Sequence, residues 1–120
     1  MLAASALFVL NIADPGLRSI LAARLSLLGV DVISIRDPDD RVLARMVRKR
    51  TVLVLDDDTL GRLPDGDRER LLAQRRWSDI VIIWHQPPEE AASDGRIRYL
   101  PRGQVAVQIV ELVEGWLRAT

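Results

Sequence analysis

Apolar residues in this chain fall in short runs separated by stretches in which they recur at helical spacing. Ala6–Leu10 reads as a first buried strand. Asp14-Pro15 then supplies a helix cap followed by proline at the first helical position, and Leu17, Ile20, Leu21, Leu25 and Leu28 recur on one side until Gly29 stops the helix. Val30–Ile35 is a second strand, and Asp37-Pro38 repeats the start signal ahead of Val42, Leu43, Met46 and Val47. Arg48, Lys49 and Arg50 suit the C-terminal end of that second helix, where cations complement the dipole. Val52–Leu55 is a third strand, Gly61–Gly66 a loop, and Asp67–Trp77 a short helix with Leu71 and Leu72 inward. Ile80–Trp84 and Ile97–Leu100 are the fourth and fifth strands. Pro87-Pro88 and the stretch 91–95 leave room between them for one helical turn at most. Gln104–Arg118 closes the chain as a helix.

Alternation of this kind predicts right-handed crossovers and a parallel sheet covered on both faces. At 120 residues the chain is long enough for a real core and is expected to form one domain over residues 1–120. Its 17 basic and 17 acidic residues balance, which argues against a broad footprint for nucleic acid. With no cysteine and a single histidine, His85, neither a disulfide framework nor a zinc centre can be built. The apolar stretch Leu2–Leu10 has no basic flank and is too short to span a bilayer, so no membrane contact and a cytoplasmic location are expected. Neither a GxGxxG nor a P-loop pattern follows any strand, which gives nucleotide binding little support.

Two features carry candidate function. The run Val52–Leu55 breaks into Asp56, Asp57 and Asp58, and carboxylates at the C-terminal end of a central strand lie on the rim where open α/β folds place their ligands. Like charges so close need a cation, a basic side chain or solvent between them. The last helix carries two apolar stripes, Val105, Ile109, Leu112 and Trp116 beside Val110, Val113 and Leu117. Either the helix is unusually deeply buried, or Val110, Val113, Trp116 and Leu117 form a docking or homodimer face with Tyr99 nearby; the second is the expectation.

Taken in order, these features resemble the receiver domain of two-component response regulators over essentially the whole chain. Phe8-Val9-Leu10 and the following Asn11–Arg18 look like the first strand, acidic loop and first helix; Val52–Asp56 looks like the third strand ending in the phosphorylatable aspartate; Leu63-Pro64-Asp65-Gly66 echoes the turn beyond it; Tyr99-Leu100-Pro101-Arg102 is similar to the fifth strand with its aromatic and basic residues. The resemblance implies a flavodoxin-like, receiver-like three-layer sandwich with strand order 2-1-3-4-5 and the fourth crossover helix shortened or absent. It also implies that Asp56 is the phosphoacceptor, with Asn11, Asp14, Asp57, Asp58, His85, Tyr99 and Arg102 around an acidic pocket.

The departures bear on mechanism. The two acids that help hold a divalent cation in the family fall on Ile12 and Ala13, the hydroxyl residue after strand four falls on His85, and the conserved-type lysine falls on Arg102, whose planar fork does not replace a compact ammonium. Asp14 is better explained as a helix cap. His85 is expected on the rim, paired with one of the aspartates. No cofactor is called for beyond a weak magnesium site, for which Asp56 and the Asp58 carbonyl are the candidates.

The expectation is therefore an atypical receiver, not an enzyme, acting as a signalling or protein-interaction module in a phosphorelay-type pathway, with phosphorylation at Asp56 impaired. Its partner would be a histidine kinase, an output domain or a second copy. The alternative is a phosphate-independent pseudo-receiver scaffold or ligand sensor. A third reading, from Asp56-Asp57-Asp58-Thr59-Leu60, is a haloacid-dehalogenase-type phosphatase, but the threonine comes one position early and the motif sits on the third strand rather than the first.

Overall fold

The computed structural model describes residues 6–36, 50–85 and 95–118. Five strands, β1 (Ala6–Asn11), β2 (Asp31–Ser34), β3 (Arg50–Asp56), β4 (Asp79–Trp84) and β5 (Ile97–Pro101), pair in parallel in the order β2-β1-β3-β4-β5. With helices on both faces, this is an α/β domain of the flavodoxin-like kind, with the parallel sheet expected from the apolar runs and the strand order that the resemblance implies. The fourth crossover, read as stunted, and the second helix, with Val42, Leu43, Met46, Val47, Arg48 and Lys49, lie outside the described residues.

Period-two alternation sorts the central strands onto two cores. Phe8, Leu10, Val52, Val54, Val81 and Ile83 face α1 (Pro15–Leu27) and α4 (Val105–Arg118), burying Leu21, Leu25, Val105, Ile109 and Val113. Leu7, Val9, Leu53, Leu55, Ile80 and Ile82 face the other way, onto Leu60 of α2 (Asp57–Gly61), Leu71 of α3 (Asp65–Ala73) and Trp77. Asp14 caps α1, its Oδ1 accepting from the Gly16 and Leu17 amides at 2.9 and 3.2 Å, and Pro15 stands at the first helical position. Gly29, at φ 85°, takes the left-handed conformation that ends the helix and donates to the Ser26 carbonyl.

Several boundaries differ from the sequence reading, each for a local reason. The stretch 61–66, read as loop, keeps only its middle as a connection: Gly61 ends α2, which Asp56 nucleates as its cap, residues 62–64 link the helices, and Asp65 and Gly66 already belong to α3. Trp77 is not helical. It follows α3 and sinks under the sheet at 1% exposure, its indole donating to Gln74 Oε1. Arg50 opens β3 instead of closing a helix. Its guanidinium pairs with the buried Asp79 carboxylate at 2.9 Å and lies 4.4 Å from the Trp116 ring, tying two strand starts to α4.

The expected docking face is also corrected. Val113 is 1% exposed and belongs to the core seam Val105-Ile109-Val113, so it cannot centre a surface. Val110, Trp116 and Leu117 are half-buried against that same core, and the Trp116 ring sits 6.1 Å from Phe8. Tyr99 is not beside α4. It points to the opposite face of the sheet, packed on Trp84 with ring centroids 5.9 Å apart.

Candidate functional site

All the rim residues singled out from the sequence except Tyr99 lie at the C-terminal edge of the sheet, but they do not form one pocket. Asp56, the last residue of β3, is fully buried. Its Oδ2 accepts from the Ala13 amide at 2.9 Å and its Oδ1 from the Thr59 amide at 3.0 Å. One carboxylate therefore clasps the loop after β1 and caps α2 at the same time. Each oxygen holds one amide.

Asp57, next in the chain, turns to the other side of α2's first turn. Its Oδ2 lies 2.8 Å from His85 Nδ1 and also accepts from the His85 amide, while its Oδ1 accepts from the Asp58 amide. An ionised carboxylate only accepts, so the ring carries its proton on Nδ1. Asp14 Oδ2 meets the Arg102 guanidinium beyond β5. Asp58 is exposed, and its carbonyl already accepts from the Arg62 amide. The four acids thus act separately, three of them each with its own donors.

Burial pushes the Asp57 carboxyl up, but the His85 ring, the His85 amide and the histidine's charge outweigh it, holding the group below its ordinary value of 3.8. The Leu17 amide, followed by Gly16 and Arg102, likewise holds Asp14 down against some desolvation. A lowered folded value means that near this pH the unfolded chain binds more protons, so stability rises with pH there. The contribution of Asp57 is complete above 3.8 and is lost as pH falls through the folded value. Urea midpoints measured between about pH 6 and pH 3 should fall on acidification, and Asp57→Asn should flatten that fall. An unchanged acid slope in Asp57→Asn would remove the ion-pair reading.

A magnesium ion does not fit this arrangement. The Asp56 oxygens hold amides, the Asp58 carbonyl holds Arg62, and the positions that would add carboxylates are Ile12 and Ala13. Among the described residues no group of three or more His, Asp or Glu side chains converges as a metal site.

Beside the clasp lies a cavity of about 410 Å³. Its walls come from the ends of β1 and β2, the start of α1, and α2 with the residues following it. Asn11, the last residue of β1, lines it at 5% exposure, with its Nδ2 unpartnered among the described residues. Arg18, Arg36 and Arg62 line it as well, and no described lining residue is acidic. Sequence reasoning found Asn11 but missed the arginines, which are scattered over three elements; only the topology brings them together. Comparison with family models, with curated proteins and with solved structures returned no match.

Proposed function

We propose that this chain is an atypical, receiver-like signalling module that works through a protein partner and without phosphoryl transfer at Asp56. The observation that carries the reading is the double engagement of Asp56 in the protein interior, with one oxygen on Ala13 N and the other on Thr59 N. An attacking carboxylate oxygen must be free to approach phosphorus, and the charge of the transferring group must be offset. Here the carboxylate is shielded from solvent with each oxygen held by an amide, so attack would require the rim around it to open, and Arg102, the basic residue that could offset charge, is held by Asp14. The receiver assignment itself rests on the likeness of strand order and of acids at the end of β3, which is analogy of fold. His85 and Arg102, each fixed by an aspartate, define a rigid polar rim suited to docking a kinase-independent output domain or another protein.

The test is incubation with acetyl phosphate and magnesium followed by intact-mass measurement. The expected result is no more than trace addition of a phosphoryl group. Rapid, near-stoichiometric addition that disappears in Asp56→Asn would replace this reading with an ordinary phosphoacceptor.

A further inference from the structure

We propose that the cavity between the ends of β1 and β2 and the helix α2 binds a small phosphate-bearing molecule of the nucleoside diphosphate class. Arg18, Arg36 and Arg62 would hold the phosphates with Asn11, and Ile35 and Leu63 would receive the apolar part. The inference does not depend on the role of Asp56, whose oxygens face the Ala13 and Thr59 amides.

Charge is the first reason. Arg18, Arg36 and Arg62 all line the cavity and no described lining residue is acidic, on a chain whose formal net charge is zero, so the positive charge is local and is not part of a generally basic chain. Like charges gathered with no acid among the described lining residues repel one another, and an anion relieves that repulsion. Arg18 makes one long contact, to the Ile12 carbonyl at 3.4 Å, and no ion pair to Arg36 or Arg62 is present among the described residues. Guanidinium forks match phosphate oxygens in pairs, which gives geometric selectivity as well as attraction.

Asn11 is the second reason, and it is independent of charge. A buried amide donor without a partner is destabilising, and native structures rarely leave one so. Asn11 lines the cavity and its Nδ2 is in that condition just behind the wall, shielded from solvent, so a turn of the side chain would present it to a ligand oxygen.

Size and place give the third. A volume of about 410 Å³ lies in the range of small-molecule sites and is far more than a lone phosphate fills. The apolar side chains of Ile35 and Leu63 suit a ring or hydrocarbon portion. The walls come from the segments after β1, β2 and β3, and strand order reverses between β1 and β3, the crevice where open α/β sheets take ligands. Recognition here uses arginines from separate elements in place of a glycine-rich loop, so no nucleotide motif shows in the sequence.

Titration calorimetry with ADP, pyrophosphate and adenosine is the test. ADP should bind saturably and more weakly at high salt, pyrophosphate should bind less tightly than ADP, and adenosine should show no binding. Arg36 and Arg62 are exposed, so the double variant Arg36→Ala/Arg62→Ala should keep the wild-type circular dichroism and melting temperature. It should weaken ADP binding about tenfold or more, the effect of losing two charge-assisted donors. Absence of saturable ADP binding at millimolar ligand, adenosine binding as tight as ADP, or a double variant that binds as well as wild type would each overturn the proposal. Pyrophosphate binding equal to that of ADP would remove the apolar half of the site and with it the nucleotide class.

Discussion

Asp56→Ala is expected to destabilise the domain by about 3 kcal/mol, because it orphans two amides at once and removes a helix cap. Ala13 N and Thr59 N both point at a carboxylate that is shielded completely from solvent, and water cannot easily take its place. Relief of the desolvation of a buried charge offsets only part of that loss. Asp56→Asn keeps one accepting oxygen but sets an NH₂ against one of the two amides, so its loss should be smaller and still clear. A phosphoacceptor crowded by other carboxylates behaves in the opposite way: neutralising it relieves repulsion and raises stability. Urea denaturation of the three proteins therefore separates the two roles. A midpoint for Asp56→Ala at or above wild type would mean that the clasp contributes nothing and that Asp56 is held under electrostatic strain.

The rim is organised by this clasp. The strand order puts the acids at one edge, but three of the four are engaged by donors close to them: Asp14 by its own helix and Arg102, Asp56 by two amides, Asp57 by His85. Such pairing removes the need for a cation that a shared acidic pocket would have. In the neighbouring cavity the charged residues among the described lining are Arg18, Arg36 and Arg62, so the sign there is positive.

The sheet was readable because its three central strands are buried on both faces and so appear as nearly uninterrupted apolar runs, and because Asp14-Pro15 and Gly29 mark one helix at both ends. His85 was expected to pair with an aspartate, and it does. What could not be read depends on the third dimension. A five-residue helix such as α2 is too short to show a period, so Thr59 and Leu60 were assigned to no element and Gly61 was read as loop. Tyr99 alternates correctly along β5, but alternation does not say which face is which. The partners of Asp56 are backbone amides, which have no signature in a sequence, although a carboxylate three residues before Thr59 has the spacing of a cap. Arg50 looked like the last cation of a helix because Arg48 and Lys49 precede it, yet the buried Asp79 fixes it to the sheet.

The register of α4 is the other place where periodicity was ambiguous, and it yields the largest expected effect. Two apolar stripes lie side by side on this helix, and either could face the sheet. The core takes Val105, Ile109 and Val113, which places Val113 against the strand side chains at 1% exposure. Val113→Asp would put a carboxylate there with no counter-charge. Lost apolar burial and the desolvation of the charge should together destabilise by about 4 kcal/mol or more. For a chain of this length total stability is on the order of 6–18 kcal/mol, so the variant should be largely unfolded by mild denaturant or modest heating. Val107, on the same helix at 56% exposure, supplies the comparison. Val107→Asp should change stability by no more than about 0.5 kcal/mol, as exposed positions usually do. Circular dichroism melts of both variants decide the matter. A Val113→Asp protein that melts like wild type, or a Val107→Asp protein that melts like Val113→Asp, would mean that α4 presents a different face to the sheet and that the stripe through Val113 is open to a partner after all.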